Sequence, residues 1–154
     1  MYLGLDLGTS SVKALIVDAS GTAVASQSVP LQVIRRKAGW SEQDPQSWWD
    51  ATNRAVRSLG AEYPEEMRKI TGIGLSGQMH GLTALDANDT VLRPAILWND
   101  TRSASQAMQL DTGHPAFRQL GGNAVMPGFT APKAVWIAEN LSLIHISEPT
   151  RRRT

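Results

Sequence analysis

The chain is 154 residues long, 42% hydrophobic and 19% charged, enough for one globular domain with a real core. It has no cysteine, which excludes disulfides, thiolate metal sites and cysteine nucleophiles; it has no apolar run near the ~20 residues of a membrane span and no basic-then-apolar leader, so a cytoplasmic location is expected. The net charge is +1, but Arg151, Arg152 and Arg153 supply three of the fifteen basic residues, and the near-neutral body argues against nucleic-acid or anionic-membrane partners.

Tyr2 to Gly8 alternates, with Leu3, Leu5 and Leu7 on one side and Gly4, Asp6 and Gly8 on the other, the period of a strand. Gly8-Thr9-Ser10-Ser11 is a turn signal, Val12 to Asp18 a second strand, Ser20-Gly21 a second turn, and Thr22 to Val29 a third strand ended by Pro30. Three strands with two tight turns predict an antiparallel meander. Residues 31–43 lack clear periodicity, and Arg35-Arg36-Lys37 reads as a solvated loop. Asp44-Pro45 predicts a helix start, with Trp48, Ala51, Ala55 and Leu59 at helical spacing and Gly60 closing the element. Ile70 to Leu75 reads as a short strand, and Leu82 to Asp86 and Val91 to Trp98 as two more around Ala87-Asn88-Asp89. Asp100 is a candidate cap for a helix to about Leu110; a Gly/Pro-rich loop follows from Gly113 to Gly128; Thr130 to Asn140 reads as a last helix with Pro132 in its first turn. The order β-β-β-α-β-β-β-α-α is mixed α/β.

Residues 141–154 stand apart. Leu141-Ser142-Leu143-Ile144-His145-Ile146-Ser147-Glu148-Pro149-Thr150-Arg151 resembles an in-frame translation of a sequencing adapter, and the segment is read as a non-native tail. A protein longer than this chain is therefore expected.

Three clusters carry candidate chemistry. Asp6 lies near the end of an apolar strand, where an isolated carboxylate is costly unless paired or metal-bound. The turn after it, Gly8, Thr9 and Ser10, offers close backbone approach, hydroxyls and successive N–H groups, a combination suited to a phosphate beside Mg²⁺; Lys13 is near enough in sequence to help, with a merely solvated lysine as the alternative. A plain hairpin with an exposed Asp remains the alternative; neither the P-loop nor the GxGxxG pattern is present. The second cluster, Ser76-Gly77-Gln78-Met79-His80-Gly81, is a polar loop at a strand end: Gln78 and His80 suit hydroxyls and Met79 an adaptable wall, although taken alone a loop histidine is more often merely solvated. In the third, Trp98 offers a flat face for a sugar, and Asn99, Asp100 and Arg102 offer hydrogen bonds to its hydroxyls; a core Trp followed by a capping Asp100 and a helix-surface Arg102 fits as well. No metal-ligand spacing of His or Cys and no nucleophile elbow is found.

Together these clusters resemble the FGGY carbohydrate kinase family. Tyr2 to Ser10 resembles the first phosphate motif of the actin/hexokinase-like ATPases. Gly39-Trp40-Ser41-Glu42-Gln43-Asp44-Pro45 with Trp48-Trp49 looks like FGGY kinases, the xylulose kinases in particular, as does Gly77-Gln78-Met79-His80-Gly81. Arg93 to Asp100 resembles the next substrate-lining segment. Gly128 to Asn140 is similar to the first of the two family signatures, departing from it at Ala134, where a larger apolar residue is usual. The resemblance runs over 1–140 and implies an incomplete RNase H-like (actin/hexokinase-like ATPase) domain with a mixed sheet, the first of the family's two.

It further implies ATP and Mg²⁺ as cofactors. Asp6 would hold Mg²⁺, if need be through water, and Gly8, Thr9, Ser10 and Lys13 would lie near the phosphates. Gln78, Met79 and His80 would contact the sugar, with Trp98, Asn99 and Asp100 lining its pocket. The family's general base, an aspartate at the start of the second domain, has no counterpart here. The implied reaction is phosphorylation of D-xylulose to xylulose 5-phosphate by the longer enzyme, which the resemblance allows to be a homodimer, with this chain inactive alone. Another FGGY kinase (for ribulose, gluconate or glycerol) and a non-enzymatic actin-like binding domain are the alternatives.

Overall fold

The computed structural model describes residues 1–140, so the expected non-native tail at 141–154 lies outside the described residues. The chain divides into two compact units: Met1–Val33 with Asp44–Met79, and Ile34–Gln43 with the residues from His80 onward.

The first unit is a mixed sheet under one helix. Strands β1 (Tyr2–Leu7), β2 (Ser11–Val17) and β3 (Ala23–Pro30) form the expected meander. The strand that β1 takes on its other side comes from residues 72–77. In chain order, the two-residue strand β4 (Glu42–Gln43) precedes helix α1 (Pro45–Glu62), the short helix α2 (Pro64–Arg68) and this strand, β5 (Gly72–Gly77). The sheet order is β3-β2-β1-β5, with β5 parallel to β1 and the other pairs antiparallel. Asp44 caps α1 as expected, its carboxylate accepting from Gln46 N, with Pro45 in the first turn. Ala51, Ala55 and Leu59 are buried at successive fourth positions. Ala55 and Leu59 share a core with Leu3, Ala14, Ile16 and Ala25, while Ala51 packs with Val12 and Leu31, and the alanines let the helix lie close to the sheet. The helix runs past Gly60 to Glu62 before Tyr63 N closes on Leu59 O, so Gly60 is interior and is not the stop read from the sequence.

Register explains an exposed apolar strip. Leu3 pairs with Ile73 and Leu5 with Leu75, so both β5 residues point to the helix side of the sheet. Helix α1 packs on β2 and β3, and Ile73 and Leu75 remain 64% and 77% exposed. We expect the double variant Ile73→Thr/Leu75→Thr to lower binding of a hydrophobic dye by the chain severalfold; unchanged dye fluorescence would show that this strip is covered in solution.

In the second unit, β4 pairs antiparallel with β6 (Ala95–Ile96), and single bridges join Ile34 to Glu42, Leu82 to Ile96 and Leu85 to Val91. The two longer strands expected over 82–86 and 91–98 thus reduce to bridges and a short strand; Ile96 is paired on both sides, with Leu82 and with Glu42 of the unpatterned segment. Helices α3 (Ala104–Gly113), α4 (Ala116–Gly121) and α5 (Thr130–Asn140) complete it; α4 falls in the stretch read as a loop, and α3 starts after Ser103, not at Asp100. No helix among the described residues is long and apolar enough to cross a membrane.

Candidate functional site

In the first unit, the alternation of β1 turns Asp6 away from the leucines that flank it. Asp6 sits opposite Lys13 on β2 and Ser76 on β5, and both Asp6 and Lys13 are exposed. The burial cost argued from its neighbours therefore does not arise, and among the described residues Asp6 forms no ion pair. Just beyond, Gly8 N donates to Ser11 O at 3.0 Å and closes the turn. A Cβ on Gly8 would lie 3.0 Å from that same carbonyl oxygen, so the tight bend favours glycine. Ser10 O accepts from Leu31 N at 2.9 Å, which anchors the far side of the turn.

The structure joins the first and second sequence clusters through Gln78. Its backbone N donates to Leu7 O at 3.2 Å, its side-chain Nε2 donates to Gly8 O at 3.1 Å, and Thr9 Oγ1 donates to its Oε1 at 3.2 Å. These bonds span about seventy positions and fix the turn to the end of β5. Met79, the next residue, is 59% exposed.

In the second unit, His80 is exposed, adopts a left-handed φ of 59°, and stacks on Phe129 at 4.7 Å. Trp98 is half exposed and Asn99 exposed. Asn99 also lines an open surface hollow of about 420 Å³ with Arg35, Lys37, Trp40, Ser41 and Thr101. Asp100 is placed differently from Trp98 and Asn99: it is 0% exposed. Its carboxylate accepts from Ser41 N at 2.6 Å, Arg102 N and Nε at 2.9 Å each, and Arg102 Nη2 at 2.7 Å.

Arg102 is the hub of a buried charge cluster that the sequence reading did not find. It reaches Glu42 at 2.9 Å as well as Asp100, and its guanidinium lies 3.7 Å from the centre of the Trp40 ring. Arg93 adds a second ion pair to Glu42. Lys133 on α5 is fully buried nearby and donates to His80 O and Gly128 O at 2.7 Å each. Burial pushes the Lys133 ammonium down to about 8; Asp100 opposes that fall and Arg102 adds to it.

Among the described residues no group of three or more His, Cys, Asp or Glu could hold a metal. A single exposed carboxylate beside a hydroxyl-bearing turn fits a magnesium ion that takes its other ligands from water and phosphate oxygens.

Comparison with known proteins decides the family. The model of the FGGY family of carbohydrate kinases, N-terminal domain, matches residues 1–144. The chain belongs to this family of kinases. It is 51% identical to the xylulose kinase of Klebsiella pneumoniae and 49% identical to that of Escherichia coli K12, each over 137 residues that make up 89% of this chain and 28% of the relative. Among solved FGGY-type structures, a xyloylose kinase from Brucella ovis superposes with a TM-score of 0.87 at 59% identity, covering 90% of this chain and 28% of that one. A gluconate kinase from Lactobacillus acidophilus superposes with a TM-score of 0.83 at 28% identity, covering 96% of this chain and 30% of that one. The fold is accordingly the actin/hexokinase-like ATPase fold of FGGY kinases, and the chain spans less than a third of the length of the relatives it matches.

Proposed function

We propose that this chain is the amino-terminal part of an ATP-dependent sugar kinase that transfers the γ-phosphoryl group to the terminal hydroxyl of D-xylulose. The observation that carries the reading is the Gln78 link, which ties the turn after Asp6 by hydrogen bonds to Gln78 at the start of the second cluster's loop. Phosphoryl transfer depends on holding the two substrates in line, so a phosphate turn and a sugar loop that share hydrogen bonds suit it.

In this reading Asp6 holds the magnesium ion, directly or through water, and Gly8, Thr9, Ser10 and Lys13 face the phosphates. The magnesium ion, when bound, neutralises charge on the transferred group. Met79, His80, Trp98 and Asn99 meet the sugar. Gln78 holds the turn, and Asp100 backs the Trp98-Asn99 segment from within the unit instead of meeting sugar itself, since its carboxylate is committed to Ser41 and Arg102. The similarity to xylulose kinases favours xylulose among sugars; the gluconate kinase likeness makes gluconate the natural comparator.

The test is a chimera in which residues 1–140 replace the matching segment of the Klebsiella pneumoniae enzyme. We expect ATP-dependent turnover of xylulose at least tenfold above ribulose, gluconate and glycerol, and no turnover by the 154-residue chain alone. A folded chimera that prefers another sugar, or binds none, would reject the assignment.

A further inference from the structure

Lys133 is a cation held entirely out of water, and among the described residues its hydrogen-bond acceptors are two main-chain carbonyls, not carboxylates. Lysines are seldom buried in this way without a reason. One acceptor is His80 O, on a residue whose φ of 59° lies in a region that side-chain-bearing residues enter rarely and keep only when their surroundings enforce it. The other acceptor is Gly128 O. Gly128 itself packs on the third sequence cluster: a Cβ there would fall 2.5 Å from Trp98 O. Phe129, next in the chain, meets the His80 ring at 4.7 Å with a 37° tilt. One short segment, 128–133, therefore braces both His80 and Trp98.

We propose that Lys133 is a positioning residue that holds His80 in its left-handed conformation for the sugar, an inference resting on the reading of His80 as a sugar contact. The charged groups around Lys133 are Asp100 and Arg102, with Glu42 and Arg93 behind Arg102; His80 is the titratable residue on the braced loop. Desolvation brings Lys133 down to about 8, so mildly alkaline solution converts its two charge-assisted bonds into neutral ones of roughly half the strength. The linkage sign separates the two roles. Between about 8 and the ordinary 10.5 the unfolded chain binds the extra proton, so this group's contribution to stability rises with pH. Over the same range the hold on His80 weakens. A merely structural lysine would show the first effect without the second.

The experiment is NMR of the full 154-residue chain from pH 7 to 9.5, wild type and Lys133→Met, with a D-xylulose titration of each. We expect the carbonyl carbons of His80 and Gly128 to shift together with a midpoint near 8, while the Trp40 indole signal stays fixed. Lys133→Met should show no such transition and bind xylulose at least tenfold more weakly. Invariant His80 signals in the wild type across that range, or measurable xylulose binding of equal affinity in the two proteins, would overturn the proposal. If Lys133→Met does not fold, the wild-type series decides alone. If the wild type ignores xylulose yet His80 follows Lys133, the positioning stands and the sugar assignment falls.

Discussion

Arg102→Ala should cost the second unit about 3–5 kcal/mol, the range seen when one partner of a buried ion pair is removed. The argument rests on what stays behind. Glu42 and Asp100 have side chains 2% and 0% exposed, and Arg102, itself 1% exposed, supplies three side-chain hydrogen bonds to them. Among the described residues, that would leave the two buried carboxylates with Arg93, Ser41 N and the main-chain N–H of residue 102. The guanidinium also fills the space against Trp40, so truncation loses packing as well as charge. Arg102→Lys should fall between, because an ammonium keeps the charge but cannot make the forked contact or the stack. The control is Arg68→Ala, which breaks a pair whose partners are each 67% exposed and should cost at most about 0.5 kcal/mol. Urea denaturation followed by tryptophan fluorescence measures all three, since Trp40 and Trp136 lie edge to face at 5.6 Å within the affected unit. A loss below about 1 kcal/mol for Arg102→Ala would show that the cluster is solvated in a way its burial denies.

That cluster also shows where sequence reading ends. The meander was legible because two turn signals cut a period-two pattern into three pieces, and α1 was legible at its start because Asp44-Pro45 marks a helix N-terminus by local chemistry alone. Its end was not: Gly60 costs roughly 1 kcal/mol in a helix, but burial of Ala55 and Leu59 against the sheet carries the helix past it. The pairing of Glu42–Gln43 with Ala95–Ile96 joins segments some fifty residues apart, one of them without any pattern, so no local rule could find it. Asp6 and the turn after it were singled out for a partly mistaken reason, since the strand's own alternation puts the acid in water. Asp100 was ambiguous in principle: a cap, a sugar ligand and a buried counter-ion are all served by the same residue type, and only its contacts separate them. Lys133 did leave a signal. It stands three and four residues before Trp136 and Ile137, on the side of α5 that turns inward, and a charge at such a position announces a buried partner.

Asp6→Asn in the active chimera should lower kcat/KM by about 10²-fold or more while leaving the urea midpoint unchanged. The size follows from chemistry: a carboxylate that holds a metal ion against phosphate supports several kcal/mol of charge stabilisation, and about 1.4 kcal/mol is a factor of ten. The amide keeps the shape and some oxygen ligation but drops the charge. Stability should move by no more than about 0.5 kcal/mol, because Asp6 is exposed and unpaired among the described residues. Lys13→Ala, across the ladder from Asp6, removes one cation near the phosphates and should cost about tenfold, mainly in the KM for ATP. Raising the magnesium concentration should recover part of the Asp6→Asn loss and none of the Lys13→Ala loss. That difference assigns the metal to the acid and the phosphate to the base. An Asp6→Asn chimera with full activity at ordinary magnesium would remove β1 from the nucleotide site altogether, and the Gln78 link would then describe only a well-tied hairpin.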